Sequence, residues 1–238
     1  MPWLEDLWQR VSTRTPAPDA AILGVIGFVA LACVILAWPF VRMLVTVCHE
    51  AGHAVATTLT GRSLESIRLH SDTSGLTVSR GAPNGPGMVV TLFCGYPAAS
   101  MVGLAAAVTA GVGYATATLF LLVVALALML LKIRNIHGAL VVVTIGTVLG
   151  LVVCYGPEEY LGWLVHGLAW LLLLAGPRPV LELALHSLRV GSQSDAAQLA
   201  RLTRVPQMGW VILWLGATLG ALALGTTTML PVLLPFAG

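Results

Sequence analysis

The sequence predicts an all-α polytopic membrane protein of about seven transmembrane helices, with one small β-hairpin after the second helix. Of its 238 residues, 58% are hydrophobic and only 9% are charged, whereas a soluble domain carries about 25% charged residues. Apolar runs near the length that crosses a bilayer as a helix recur along the chain. The net charge is only +2, which does not suggest nucleic-acid binding. The four cysteines form no CxxC pair, so they do not predict a thiolate zinc site. Lipid must therefore cover most of the surface.

Seven apolar segments qualify as candidate spans: residues 20–38, 41–60, 87–110, 115–131, 138–155, 160–176 and 208–229. Pro39 separates the first two, because proline disfavours helix at the residue before it. The third span is interrupted, and a Gly156-Pro157 turn ends the fifth. These segments predict one transmembrane domain over residues 20–229, between an N-terminal segment, residues 1–19, and a C-terminal tail, residues 230–238.

Two stretches are predicted not to cross the membrane. Residues 3–11 place tryptophan, leucine and valine side chains on one helical face, which suits a short interfacial helix. A frayed tail is an equally good interpretation of that stretch. Residues 64–80 alternate apolar and polar side chains around a turn at 71–75, which is the pattern of a β-hairpin.

The basic residues predict the orientation, because cytoplasmic loops carry the excess of Lys and Arg. With seven spans, the N-terminus and the loops after spans two, four and six share one side, and every Lys and Arg except Arg42 falls there. That side is predicted to be cytoplasmic, which puts the N-terminus inside and the C-terminus outside. The turns after spans three and five, near residues 111–113 and 156–159, are predicted to lie on the opposite side.

The second span contains the sequence His49-Glu50-Ala51-Gly52-His53. Positions i and i+4 of an α-helix lie on one face, so both imidazoles can reach one metal ion. Glu50 is rotated away by one residue, and can act as general base on a water molecule that zinc acidifies. The alternative is that these are ordinary polar residues on a helix. A carboxylate in mid-span, however, costs about 2.5–3.5 kcal/mol, so polar groups there indicate function.

A catalytic zinc site has three protein ligands, so a third must come from elsewhere in the chain. The predicted topology puts Glu158 and Glu159 on the wrong side of the membrane and Asp195 on the right side. The small, weakly polar residues around Asp195 would let its segment enter the protein without a large burial cost. Alternatively, Asp195 is a first-turn residue whose charge favours the helix dipole, and the residues alone leave these two interpretations even. The other candidates are Asp72, Glu182, His70, His137, His166 and His186.

These residues resemble the site-2 protease family of intramembrane zinc metalloproteases, especially its short bacterial members without a PDZ domain. The segments that carry the likeness are residues 49–53, the hairpin, Gly95-Tyr96-Pro97, Arg134-Asn135 and residues 194–200. The resemblance implies one zinc ion per chain, with Asp195 as its third ligand. Ser194 and Ala196 stand where the family usually has Leu and Gly.

The resemblance also implies what the protein does. Family members hydrolyse a peptide bond in or near the transmembrane segment of a membrane-protein substrate, expected here to have a single transmembrane helix. The chain would then be a multi-pass protein of the plasma or inner membrane of a bacterium. Its hairpin would pair with an unwound substrate strand through main-chain hydrogen bonds, or serve only as a connector.

Two further polar residues are weaker site candidates. Asn135 could hydrogen-bond the developing oxyanion or a ligand, or simply end a helix. His166, in the middle of the sixth span, could orient a metal ligand, or satisfy an interhelical hydrogen bond. Two other functions stay open. A metal-binding scaffold or regulator would have no need for Glu50, and a metal transporter would need a polar path through both halves of the bilayer.

Overall fold

The computed structural model describes residues 2–186 and 194–230, so the predicted C-terminal tail, apart from residue 230, lies outside the described ranges. The fold is helical except for one two-stranded sheet. Its elements in chain order are α1 Pro2–Ser12, α2 Ala20–Leu36, α3 Trp38–Leu59, β1 Ser63–Leu69, β2 Gly75–Arg80, α4 Pro86–Phe93, α5 Gly95–Gly111, α6 Ala115–Leu130, α7 Ile136–Tyr155, α8 Glu158–Ala175, α9 Pro177–His186, α10 Asp195–Thr203 and α11 Gln207–Met229.

The helices confirm a mostly α-helical membrane fold. Within the described ranges, three stretches are long and apolar enough to cross a bilayer: α7, α8 continued through α9 to Leu185, and α11. Two bent pairs also qualify if each counts as one span, with a bend of 100° between α2 and α3 and of 59° between α4 and α5. Helix α6 is apolar but only 16 residues long. Length and composition therefore support three to five spans and do not confirm the count of seven.

Proline and glycine residues lie at two of the predicted breaks between helices. Pro39 lies in the first turn of α3, just after the bend from α2, where its missing N–H removes no helical hydrogen bond. Gly156 follows the last residue of α7, and Pro157 directly precedes α8. The breaks after the first and fifth predicted spans therefore lie where the sequence predicts them.

The bundle buries small residues between its helices and exposes large apolar ones. A Cβ added at Gly103 of α5 would lie 3.0–3.1 Å from Leu173 and from the Ala169 carbonyl oxygen of α8, so a small residue permits this close approach. On the outside, the Phe28 side chain is 73% exposed and the Ile136 side chain 81% exposed. An outer surface of this kind suits lipid rather than water.

The predicted hairpin is present as an antiparallel pair in which Leu69 lies opposite Gly75 beside the turn. Ile67 and Leu69 of β1 are fully buried against side chains of α3, α6 and α7. The other edge of β1 is covered by the α6–α7 connection. There, the Ile67 N–H donates to the Lys132 carbonyl (2.8 Å), and the Arg134 N–H donates to the Ile67 carbonyl (3.0 Å). Strand β2 is therefore the outer strand of this small sheet.

The position of the N-terminal segment contradicts the predicted topology. Arg10 donates hydrogen bonds to the carbonyls of Val153 (3.0 Å) and Gly156 (3.3 Å) at the end of α7. The Thr15 N–H donates to the Gly113 carbonyl (2.9 Å) in the turn between α5 and α6. The seven-span prediction put both turns across the membrane from the N-terminus, and that placement is wrong. The segment predicted as an interfacial helix or a frayed tail is the helix α1, packed at this end of the bundle.

The path of α3 explains the difference. Trp38, its first residue, packs under Arg178 just beyond α8, with 4.1 Å between the guanidinium carbon and the ring centroid. Thr60, just after α3, adjoins Gly87 in the first turn of α4. Helix α3 thus begins and ends at one end of the bundle, which also carries β1 and β2 and is called the hairpin end below. Hydropathy gives the length of an apolar helix but not its tilt, so the sequence counts α3 as a crossing.

The two ends of the described chain lie together at the other end of the bundle. The Thr228 carbonyl oxygen of α11 lies 3.8 Å from the Cβ position of Gly111 at the end of α5. The N-terminal segment contacts the turn that follows this same glycine. A cytoplasmic N-terminus combined with an external end of α11 therefore does not fit the structure.

Candidate metal centre

Helices α3 and α10 bring together three side chains that can ligate a metal. His49 and His53, one turn apart on α3, have their Nε2 atoms 2.9 Å apart. Asp195, the first residue of α10, has its Oδ2 atom 3.3 Å from each of these two nitrogens. Among residues 2–186 and 194–230, this is the one group of three or more His, Cys, Asp or Glu side chains that could hold a metal ion.

The triangle of ligand atoms fits one zinc ion. A tetrahedral zinc ion with ligand distances of about 2.0–2.2 Å holds its ligand atoms roughly 3.3 Å apart. The three observed separations of 2.9, 3.3 and 3.3 Å are close to that spacing. Two imidazoles and a carboxylate are also a ligand set of catalytic zinc sites, and three protein ligands leave a fourth position open. The donor set and its spacing therefore suit catalytic zinc.

Contacts from α4 and α5 orient both imidazoles. The Nδ1 atom of His53 lies 2.7 Å from the Thr91 carbonyl oxygen. Because a carbonyl only accepts, Nδ1 carries the hydrogen and Nε2 presents its lone pair to the site. The His49 ring packs edge-on against the Tyr96 ring, with 4.9 Å between centroids. A Cβ added at Gly95 would lie 2.5–2.7 Å from ring atoms of both histidines, so only glycine fits at the start of α5.

Asp195 lies in the first turn of a helix and also faces the two imidazoles, the two positions that the sequence offered as alternatives. It begins α10, and Ser194 caps that helix by accepting a hydrogen bond from the Ala197 N–H (3.3 Å). Its carboxylate also faces the two imidazoles, as described above. Ala196, which follows it, is fully buried in a cluster with residues of α4, α9 and α11. The small residue that departs from the family pattern therefore anchors α10 in the protein.

Glu50 lies beside the three candidate ligands and is only 3% exposed. Its Oε2 atom accepts a hydrogen bond of 2.5 Å from the Thr77 hydroxyl of β2. Gly75, two residues earlier on β2, faces the same carboxylate, and a Cβ there would collide with Oε1. Strand β2 therefore holds the carboxylate that the sequence assigns to catalysis.

A cavity of about 200 Å³ joins these groups. The two histidines, Glu50 and Asp195 line it together with residues 75–77 and Ser79 of β2. Residues of α4 and Gln198 of α10 complete the wall. The candidate ligands, the candidate general base and the outer strand thus share one chamber.

The alternative third ligands have other partners. Asp72 accepts hydrogen bonds from the Ser74 hydroxyl (2.7 Å) and the Ser74 N–H (3.0 Å) in the hairpin turn. These bonds hold the pKa of the Asp72 carboxyl below its usual value. Glu182 pairs with Arg42 and with Arg178, each at 3.5 Å. Both acids are therefore engaged away from the imidazoles.

Asn135 and His166 contact main chain rather than the cavity. The Asn135 carboxamide donates to the Leu69 carbonyl (2.6 Å) and accepts from the Leu69 N–H (3.2 Å), and so pairs with β1 as a strand residue would. The His166 Nδ1 atom lies 2.7 Å from the Gly162 carbonyl oxygen of its own helix. Neither residue lines the cavity, so their roles in the reaction stay predictions. The side chain of His186, another alternative ligand, lies outside the described part of the structure.

Sequence reasoning missed two groups that contact the site. Thr77 lies directly opposite Ile67 in the hairpin register and therefore shares its inward face. The alternation in the sequence instead makes Leu76 and Val78 the apolar face of this strand, so it gave no signal for Thr77. Thr91 contributes its main-chain carbonyl oxygen to His53, and no side-chain pattern reveals such a contact.

A membrane-type helical fold with two histidines of an HExxH helix, a distant aspartate and a buried glutamate defines a class of metallopeptidase. The chain belongs to the Peptidase M50B-like family, a site-2 protease family, whose model matches residues 15–225. This match includes α3, the hairpin and Asp195, and it confirms the resemblance drawn from the sequence. No curated protein and no solved structure matches the chain.

Proposed function

We propose that the protein is an intramembrane zinc endopeptidase that hydrolyses a peptide bond in or near the transmembrane segment of a membrane protein. The observation that carries this proposal is the convergence of His49, His53 and Asp195, with 2.9–3.3 Å between ligand atoms, beside the buried Glu50. A scaffold or regulator that only bound metal would need the three ligands but not a buried carboxylate beside them. Membership of a metallopeptidase family supports the same conclusion.

The residues present suit hydrolysis by general acid–base catalysis. When bound, zinc would supply Lewis acidity, which acidifies water and polarises the scissile carbonyl group. Glu50 takes the proton of the water molecule as its oxygen bonds to the carbonyl carbon. The same carboxyl then gives that proton to the amide nitrogen as the C–N bond breaks. Glu50 therefore ends each cycle as a carboxylate, ready for the next water.

Strand β2 is the proposed docking strand for the substrate. Among the described strands it pairs only with β1, whose other edge is closed by the α6–α7 connection. An extended segment can add to the open edge of β2 through main-chain hydrogen bonds, whatever its sequence. Because such bonds require an extended chain, the substrate helix unwinds locally before cleavage. The substrate proposed is a membrane protein with a single transmembrane helix.

We also propose a six-crossing arrangement in the plasma or inner membrane of a bacterium. Six elements run alternately between the two ends of the bundle: α2, the α4–α5 pair, α6, α7, α8 and α11. Helix α3 lies at the hairpin end. Every Lys and Arg of the described residues except Arg10 and Arg14 belongs to a segment at the hairpin end. The excess of positive charge makes that end cytoplasmic, so the N-terminal segment lies outside.

Cysteine labelling of intact cells tests this arrangement. In a background without the four native cysteines, Ser12→Cys is expected to react with a membrane-impermeant maleimide. Ser71→Cys, in the exposed hairpin turn, is expected to react only after the cells are permeabilised. The reverse pattern would contradict the proposed orientation.

The function is tested by zinc analysis and cleavage assays on purified protein reconstituted with single-span membrane proteins. The wild type is expected to carry about one zinc ion per chain and to cleave. Glu50→Gln is expected to keep zinc and lose cleavage. If the wild type and Glu50→Gln both bind zinc and neither cleaves the substrates, a metal-binding scaffold is favoured. Zinc uptake into vesicles that His53→Ala abolishes would favour a transporter.

A further inference from the structure

We propose that Thr77 is a positioning residue that holds the general base Glu50, so that the strand offered to the substrate also sets the catalytic carboxylate. This inference rests on the proposed function and goes beyond it. It assigns a role in the reaction to a hairpin side chain that lies 27 positions from Glu50 in the sequence.

The hydrogen bond from Thr77 is short and directed at one carboxylate oxygen. The Thr77 Oγ1 atom lies 2.5 Å from Oε2 of Glu50 and 3.3 Å from the Glu50 carbonyl oxygen. A hydroxyl has one hydrogen to donate, and the shorter distance indicates that the carboxylate receives it. Hydroxyl-to-carboxylate bonds of this length are among the stronger hydrogen bonds in proteins. Oε1 is the oxygen left to exchange a proton with water and substrate.

Two residues of β2 confine the Glu50 carboxylate. Alternate residues of a strand share a face, so Gly75 and Thr77 both point toward α3. Gly75 has no side chain, and a Cβ there would overlap the carboxylate. Glycine at this position therefore makes the space that Glu50 occupies, and Thr77 fixes the carboxylate within that space. The two residues together restrict a side chain that otherwise has three rotatable bonds.

The segment that carries Thr77 is itself held in place. Thr77 lies opposite Ile67, which is fully buried. The backbone of Ile67 is bonded on its other edge to Lys132 and Arg134 in the α6–α7 connection. Contacts thus run from the α6–α7 connection through β1 to its partner strand β2, and the Thr77 hydroxyl extends them to the Glu50 side chain. Loss of the Thr77 hydroxyl removes only the last of these contacts.

A merely structural role for Thr77 predicts a different result from a positioning role. If the hydroxyl only satisfies a buried carboxylate, its loss lowers the stability of the fold and leaves the reaction of the folded enzyme unchanged. If the hydroxyl positions the base, its loss lowers kcat while zinc content and KM stay the same. General acid–base catalysis contributes about 10²–10⁴-fold, so a misplaced base is expected to lose a substantial part of that range.

The test compares Thr77→Val, which removes the hydroxyl at nearly constant shape, with Thr77→Ser, which keeps it. Thr46→Val is the matched control, because the Thr46 hydroxyl ties α3 to the hairpin turn at the Thr73 carbonyl (2.8 Å) without contacting Glu50. Each variant is purified in full length, and its zinc content, thermal unfolding midpoint, kcat and KM are measured. Thr77→Val is also combined with Glu50→Gln.

We expect kcat of Thr77→Val to fall about 10–100-fold, within the range of general-base catalysis, with zinc content and KM unchanged. Thr77→Ser is expected to restore most of the activity, and Thr46→Val to keep it. In the Glu50→Gln background, Thr77→Val is expected to have no further effect, because residues that act as a unit are not additive. Wild-type kcat in Thr77→Val, equal losses in the serine and valine variants, or additive losses with Glu50→Gln would overturn the inference. A wild type that does not cleave, or Glu50→Gln as active as wild type, would instead overturn the proposed function and this inference with it.

Discussion

Buried histidines occur on two helices of this bundle, and their own contacts look alike. His53 on α3 is 7% exposed, and His166 on α8 is 1% exposed. Each ring has its Nδ1 atom 2.7 Å from a main-chain carbonyl oxygen. The difference lies at the remaining nitrogen. The His53 Nε2 atom faces His49 and Asp195, whereas His166 belongs to no such cluster among the described residues.

The source of the carbonyl also differs between the two histidines. His166 bonds to Gly162, one turn earlier in the same helix, so its contact needs no other element. His53 bonds to Thr91 of α4, and its orientation therefore depends on how α3 and α4 pack. Burial and a satisfied Nδ1 are thus shared by a structural histidine and a candidate ligand. Convergence of side chains from separate elements distinguishes the second kind.

The largest expected effect is the loss of one imidazole from the cluster. His53→Ala removes one of the three ligand atoms and leaves His49 and Asp195 close together without the third. We expect bound zinc to fall from about one per chain to background, and cleavage to fall with it. Zinc analysis of the purified variant checks this result. Full zinc content in His53→Ala would mean that convergence on α3 does not mark the metal site.

The next effect is expected at Asp195. Asp195→Asn keeps the shape of the side chain but removes the charge that faces the two imidazoles. Losing even an outer-shell partner costs about 10–100-fold in metal affinity, so loss of a ligand is expected to exceed 100-fold. Titration with a competing zinc chelator measures the affinity. Asp72→Asn is the matched control, since its carboxylate is bonded to Ser74 in the hairpin turn, and is expected to bind zinc as the wild type does.

The sequence predicts the local parts of the site because their signals lie within a few residues. The spacing of His49 and His53 places both on one helical face wherever that helix lies. The alternation in residues 64–80 predicts a hairpin, and the structure contains it. For Asp195 the sequence offers two interpretations, and the structure shows that they are compatible, since α10 begins at a carboxylate that also faces the imidazoles. Its role as the third ligand stays a prediction.

The sequence fails where the answer depends on the direction of a helix. Helix α3 is long enough for a span and qualifies as apolar enough only together with α2, but both of its ends lie at the hairpin end of the bundle. Counting it as a crossing put the N-terminal segment on the same side as the hairpin, whereas the two lie at opposite ends of the bundle. The contacts of Asn135 could not be predicted for a related reason. Its carboxamide bonds to the backbone of Leu69, 66 positions away, and that pairing follows from packing rather than from any local pattern.

A smaller effect is expected from crowding the two candidate ligands. Gly95→Ala introduces a Cβ within 2.7 Å of ring atoms of His49 and His53, so the rings or α5 must shift. We expect zinc affinity to fall about tenfold, comparable with loss of a group that orients a ligand. Gly216→Ala on α11 meets no atom within 4 Å and is expected to leave zinc affinity unchanged. Equal affinities in the two alanine variants would contradict a close fit between α5 and the imidazoles.

The smallest effect is expected at His166, the histidine without converging partners. His166→Leu removes one hydrogen bond to the Gly162 carbonyl, but that carbonyl lies within α8, where a helical N–H also bonds it. No buried acceptor is left unpaired, so the free energy of unfolding is expected to fall by about 1 kcal/mol or less. Zinc content and kcat are expected to match the wild type. Measuring the thermal unfolding midpoint, zinc content and kcat of the same preparation checks these three expectations. Loss of zinc or of kcat in a variant that still folds would show that His166 acts on the site. Burial of a histidine would then indicate a functional role better than convergence of side chains from separate elements does.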